Sequence, residues 1–177
     1  MSQQADDWRN PQHSKHKKTY ASELESASDR ITLQAIGVVS SPYQERFATP
    51  RQPAYAVDAK PAMITLHQGF CYEQALQDLE SFSHIWVIYW MHLNQGWNPL
   101  VKPPRDKHNK YGVFATRAPH RPNSLGLSVV PLLSVQGRVL HIGCHDMLDG
   151  TPVLDIKPYI VESDVVSDAN TGWLDKL

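Results

Sequence analysis

The sequence predicts a mainly β domain: a small antiparallel β-barrel with one α-helix packed outside it and a flexible N-terminal extension. Three observations carry this reading. Six or seven short segments rich in aliphatic and aromatic residues are separated by Pro, Gly and Asp-Gly turn signals. Only one stretch, Phe70 to Phe82, carries a helical period. Strands do not alternate with helices and no GxGxxG occurs, which argues for antiparallel closure and against a Rossmann sheet.

Residues 1–30 are polar, mixed in charge and poor in aliphatics, the composition of a flexible extension. The character changes at Ile31, where ITLQAIGVV reads as a strand ending at the Ser40-Ser41-Pro42 turn. Tyr43 to Ala54, with two prolines and two arginines, reads as an ordered loop, and Ala62 to His67 as a second strand. From Phe70 to Phe82, Tyr72, Ala75, Leu76 and Leu79 share one helical face, and Glu73, Gln77, Asp78 and Glu80 point away. Ser81 to Met91 is a nearly continuous apolar run, expected as a central strand walled on both faces. A proline-rich connection leads through Pro104 to an alternating strand, with Tyr111, Val113 and Ala115 on one face.

That strand breaks into a turn holding Arg117, Pro119, Arg121, Pro122 and Asn123, and the chain resumes as strand at Leu125. Leu125–Val135 and Val139–Ile142 read as a hairpin around Gln136-Gly137. An Asp149-Gly150 turn then precedes a last strand, Val153 to Ile160. The expected organisation is an extension over 1–30, a barrel over 31–160, and an acidic tail or the start of a further domain over 161–177.

A chain of 177 residues is long enough to bury a real core. No run of eighteen apolar residues and no secretory apolar segment is present, and Cys71 and Cys144 suggest neither a disulfide framework nor a zinc site. A cytoplasmic protein is expected, with no metal. Cys144-His145-Asp146 sets three ligand types in a row, but neighbours on a strand face opposite ways.

The net charge of −1 conceals an asymmetry. Between Trp97 and Pro122, Lys102, Arg105, Lys107, Lys110, Arg117 and Arg121 oppose the single Asp106. Such a patch suits a polyanion, and two arginines on proline-stiffened backbone at a sheet rim suit an anion or nucleotide. Charge alone equally describes a solvated loop.

IGVVSSPYQERFATPRQP, FSHIWVIYWMH, VKPPR, GVFATRAPHRPNSLGLS and DMLDGTPVLDIKPY, in that order from Ile36 to Tyr159, together resemble the TrmO/TsaA-like (YaeB-type) family. The resemblance implies a β-barrel methyltransferase that uses S-adenosylmethionine to methylate N6 of threonylcarbamoyladenosine at tRNA position 37, giving m6t6A. It also implies a homodimer with the donor in a cleft. Two-domain bacterial members carry a second small domain after the barrel; here the sequence runs to Leu177, just past DANTGWLDKL.

By the same resemblance, Pro50, Arg51, Gln52, His92, Leu93, Arg117, Leu127, Leu148, Asp149, Gly150 and Thr151 contact the donor. Read alone, Asp149-Gly150 is a plain turn and Pro50–Gln52 an exposed loop. A threonylcarbamoyl carboxylate calls for an arginine fork, for which Arg105, Arg117 and Arg121 are candidates, with Asn123 and Lys157 beside them on the substrate side. His92, His120 or Asp155 is a candidate acceptor for the N6 proton, although Asp155 has an alternative partner in Lys157. Tyr43, Phe47, Trp97 and Tyr111 read as core or lid residues before stacking platforms. Two other readings stand beside the enzyme: a non-catalytic RNA- or nucleotide-binding barrel, and methyl transfer to another small acceptor. The PRQ and DGTP motifs favour the enzyme, because an RNA binder needs only the basic loops.

Overall fold

Side chains that alternate between an apolar interior and solvent mark the strands of the computed structural model, which describes residues 31–45, 49–50, 52–53 and 60–177. The expected extension over 1–30, Phe47 and Arg51 lie outside these. The chain divides into two units, Met1–Leu33 and Gln34–Leu177, and the strands belong to the second. They are β1 (Gly37–Ser40), β2 (Ala62–Leu66), β3 (His84–Trp90), β4 (Leu100–Val101), β5 (Tyr111–Gly112), β6 (Leu125–Gln136), β7 (Val139–Ile142) and β8 (Pro152–Pro158). Six of them close an antiparallel barrel in the order β1-β2-β7-β6-β3-β8, while β4 and β5 pair separately. The expected fold class is therefore the observed one. Val39, Ile64, Ile85, Val87, Val130, Leu140, Ile142 and Val153 fill the barrel, each contributing about 1.5–3 kcal/mol by leaving water.

The long β6 makes closure possible. Its first half pairs with β3 from Leu125↔Trp90 to Pro131↔His84, and its second half pairs with β7 from Leu132↔Ile142. Pro131, which has no N–H to give, sits where the strand changes partners. A register shift between Leu132 and Ser134 bends the strand around that corner. The seam lies between β1 and β8, where only Gly37↔Val153 and Val38↔Pro152 are in register. Hydrogen bonds from Val39 N to Thr151 O (2.9 Å) and from Gly150 N to Val39 O (2.9 Å) lengthen it.

Five local expectations change. Ile31 to Val39 holds a strand only from Gly37, and the last strand ends at Pro158. The amphipathic stretch 70–82 is not one helix but a single turn, α1 (Tyr72–Ala75), followed by a 3-10 turn at Leu79–Ser81. Cys71 and Asp78 take left-handed backbone (φ 52° and 66°) at the start of each piece, which breaks continuity. The apolar face still packs as its spacing requires, with Leu76 buried and Tyr72 and Leu79 against the core. β3 is fully buried on one face, through its own Ile85, Val87 and Tyr89, and its other face is half-buried, ending at an exposed Trp90.

The fifth change is at Tyr111–Thr116, where only two residues are strand before a 3-10 turn at Val113–Ala115. Arg121 explains it. One guanidinium nitrogen, Nη1, donates to the carbonyls of Val113 (3.2 Å), Thr116 (2.8 Å) and Ala118 (3.4 Å), which a straight strand would splay apart.

After β8, α2 (Val161–Asp164) places the Asp164 carboxylate to accept from the Trp86 indole N–H at 3.0 Å. Farther on, Trp173 stacks on Tyr111 (centroids 4.2 Å apart, 21° between planes) and donates to Ala115 O at 2.8 Å. Among the described residues, no helix is long and apolar enough to cross a membrane.

Candidate active site at one end of the barrel

Antiparallel order decides which loops meet. The connections β1–β2 (41–61), β3–β6 (91–124) and β7–β8 (143–151) all leave the same end of the barrel. The opposite end carries the α1 connection and the tight Gly137-Arg138 turn. The three rim loops hold Pro50, Gln52, His92, Leu93, Arg105, Arg117, Arg121, Asn123, Leu148, Asp149, Gly150 and Thr151, so topology gathers these sequence candidates at one end. Leu127, on the outer face of β6 near that rim, is exposed. Asp155 and Lys157 are not gathered there. They pair with each other at 2.8 Å, and Asp155 lines a cleft beside Tyr72, Leu79 and Phe82 toward the other end.

The Asp149–Thr151 turn is held by its own chemistry. Gly150 needs φ 72°, which glycine adopts without a Cβ penalty. Asp149 Oδ1 accepts from Ser41 N at 2.9 Å, its Oδ2 from Gln44 Nε2 at 3.4 Å, and its own N–H donates to Tyr43 O at 2.8 Å. An outer cleft of about 430 Å³, lined by Ser40, Ser41, Pro42, Pro61, Met63 and Asp149 among others, opens beside this turn. Of the expected donor residues described, Asp149 lines it. Across the rim, His92 is half-buried with its ring 6.2 Å from that of Trp90, and Leu93 and Arg117 are exposed.

Beneath the rim lies a polar group that the sequence reading missed. Ser128 Oγ donates to Asp146 Oδ1 at 2.6 Å, and the Tyr89 hydroxyl stands 3.3 Å from Ser128 Oγ and 3.5 Å from Asp146 Oδ1. Burial pushes the Asp146 carboxyl above the usual carboxylate range, opposed by the Ser128 hydrogen bond and by the charge of Arg117. Burial, then the Asp146 charge, push the Tyr89 phenol up as well. Tyr89 reaches this position because its partner in register is Gly126, where a Cβ would lie 2.2 Å from the ring. The available signal was a serine at an inward-facing position of an apolar strand, which must find a partner.

His145, fully buried beside the Tyr43 ring (centroids 5.0 Å), accepts from Met147 N at Nδ1, and its Nε2 has no hydrogen-bond partner. Desolvation lowers its pKa to about 4, so the ring is neutral. Among the described residues, no cluster of three His, Cys, Asp or Glu forms a metal site.

The basic loop is built around Asp106. Its carboxylate accepts from the N–H groups of His108 (2.8 Å) and Asn109 (3.1 Å), from Asn109 Nδ2 (2.9 Å) and from the Tyr111 hydroxyl (2.7 Å). These donors hold the acid well below the usual carboxylate range and turn it inward. Lys102, Arg105, Lys107, Lys110 and Arg117 face outward. Tyr43 is buried and Tyr111 lies under Trp173, while Trp97 is exposed.

The molecule is thus a closed six-stranded antiparallel barrel with its long loops at one end, carrying a carboxylate-held turn and a cationic loop. Residues 38–165 match the tRNA-methyltransferase O N-terminal domain, and the chain belongs to that family. It is 43% identical over 150 residues to the tRNA (adenine(37)-N6)-methyltransferase of Escherichia coli, covering 80% of this chain and 63% of that protein. It is 42% identical to a probable S-adenosyl-L-methionine-binding protein of Pyrococcus abyssi, covering 82% and 77% respectively. The crystal structure of TrmO from Pseudomonas aeruginosa superposes with a TM-score of 0.70 at 40% identity, over 82% of this chain and 63% of that one. The chain thus spans under two thirds of the Escherichia coli relative's length.

Proposed function

We propose that this barrel is the catalytic domain of a cytoplasmic, S-adenosylmethionine-dependent tRNA (adenine-N6)-methyltransferase, acting at position 37 on threonylcarbamoyladenosine to give m6t6A. The observation that carries the reading is the meeting of three rim loops whose residues supply a carboxylate turn, the exposed Leu93 and the exposed Arg117. That set suits the donor: Asp149 for the ribose hydroxyls, with Gly150 and Thr151 shaping the turn that presents it, Leu93, Leu127 and Leu148 as apolar flanks for adenine, and Arg117 for the donor carboxylate. Pro50, Arg51 and Gln52 belong to the same proposed set. When bound, S-adenosylmethionine supplies an electrophilic methyl group on a sulfonium.

The chain's own part is positioning, because an in-line displacement gains most from alignment. Arg105 meets the acceptor carboxylate, with Asn123 beside it. Arg121 spends Nη1 on loop carbonyls and acts by holding Arg117's backbone. His92, at the rim, is the proton acceptor we favour over Asp155, which is engaged with Lys157. Trp90 and Leu125, paired across β3 and β6, give an exposed apolar face that suits a second copy, as a homodimer requires.

Calorimetric titration with S-adenosylmethionine, then methyl transfer to tRNA with and without the threonylcarbamoyl group, tests the proposal. Donor binding and turnover only on the threonylcarbamoylated tRNA are expected. Folded protein that binds no donor and shows no tRNA-dependent turnover would instead be an RNA-binding barrel. Arg117→Ala should cut turnover roughly 100-fold, since small misplacement of the methyl donor carries such a penalty. Its stability should change by no more than about 0.5 kcal/mol, as for other surface substitutions. Near-normal turnover in that variant would remove Arg117 from the site.

A further inference from the structure

Phe114 stands 76% exposed, the most exposed of the described large aromatic residues at the rim. An apolar ring in water is ordinary on a mobile loop. Here the backbone beneath it is pinned from several sides. Val113 is buried and its N–H donates to Pro99 O at 2.9 Å; Thr116 N and Oγ1 both return to Val113 O, at 3.2 and 2.9 Å. Trp173 donates to Ala115 O, and Arg121 gathers the carbonyls on either side. The Arg121 guanidinium also lies 5.8 Å from the Phe114 ring centroid, a cation over a π face. The turn thus presents an aromatic ring from a firmly held backbone, backed by a cation, on a loop whose five outward-facing basic residues accompany one acid, Asp106, that is turned inward.

Unpaired RNA is recognised by this combination. Bases splayed from a loop stack on aromatic side chains, and cations track the phosphates. We propose that Phe114 is a stacking platform for an unpaired base of the RNA substrate, with Lys107 and Lys110 on the adjoining phosphates. The inference rests on the proposed tRNA substrate and adds to it the residue that grips a base outside the donor site. Charge complementarity selects this occupant over a second copy of the chain, whose own rim would bring the same cations against these.

The test is anisotropy of a fluorescein-labelled anticodon stem–loop RNA hairpin with the wild-type chain, Phe114→Leu and Phe114→Tyr, together with sedimentation of each protein. Leucine should weaken binding roughly 10-fold with the salt slope unchanged, because phosphate contacts remain, and tyrosine should bind within about threefold of wild type. Equal binding by the leucine variant overturns the inference and leaves the tRNA reading standing. Loss in both variants, or a change in sedimenting mass, overturns it in favour of a contact between copies. No binding by the wild-type chain overturns the tRNA reading and this inference together.

Discussion

Gly126→Ala is expected to lower the melting temperature by roughly 10 °C, the result of about 2–3 kcal/mol of overpacking in a domain of this size. The new methyl would lie 2.2 Å from two ring carbons of Tyr89, with no flexible chain end to yield. The ring cannot swing aside without leaving Ser128 and Asp146, whose buried polar atoms would then lose a partner. Thermal melts of Gly126→Ala in wild-type and Tyr89→Ala backgrounds measure the coupling. With the ring gone, the same alanine should cost little. Equal losses in both backgrounds would show that the clash is not the cause.

Acid should unfold the protein through His145. The unfolded chain takes up a proton near pH 6.5, but desolvation holds the folded histidine neutral down to about 4. Between these values the unfolded state binds more protons, so stability present above pH 6.5 is lost as pH falls toward 4. The full span is worth about 3 kcal/mol at 1.36 kcal/mol per pH unit. Asp146 acts in the opposite sense, because its raised folded pKa means that acidification relieves its burial. Denaturant titrations at pH 7.5 and 4.5 on wild type and His145→Asn separate the two, since asparagine keeps an acceptor for Met147 N and does not titrate in this range. An unchanged slope in the variant would assign the acid lability elsewhere.

The barrel was legible in the sequence because its strands bury one face each, and alternation with turn residues survives any detail of packing. The helix over 70–82 was read too long because periodicity reports which side chains face the core, and Leu76 and Leu79 do so from two separate turns. Arg117 and Arg121 looked alike, four residues apart in one loop. Their difference lies in whether backbone carbonyls converge on the guanidinium, and no spacing rule carries that information. The Tyr89–Ser128–Asp146 group was invisible for a related reason: its members come from β3, β6 and the β7–β8 loop, and only the register of the closed barrel brings them together.

The seam between β1 and β8 has a kinetic consequence. It joins Ser41 to Asp149 across 108 positions of chain, whereas the β6–β7 hairpin closes over a few. With two residue pairs in register this is the shortest ladder of the closed barrel, and it is expected to be the easiest to reopen. The turn proposed to hold the donor is therefore also the latch of the barrel, and occupancy there would tie the ends of the domain together by mass action. Amide exchange at Val39 and Gly150 should accordingly outpace that at Ile85 and Val87, and slow when S-adenosylmethionine is added. Equal protection at both places would mean that the barrel opens only as a whole.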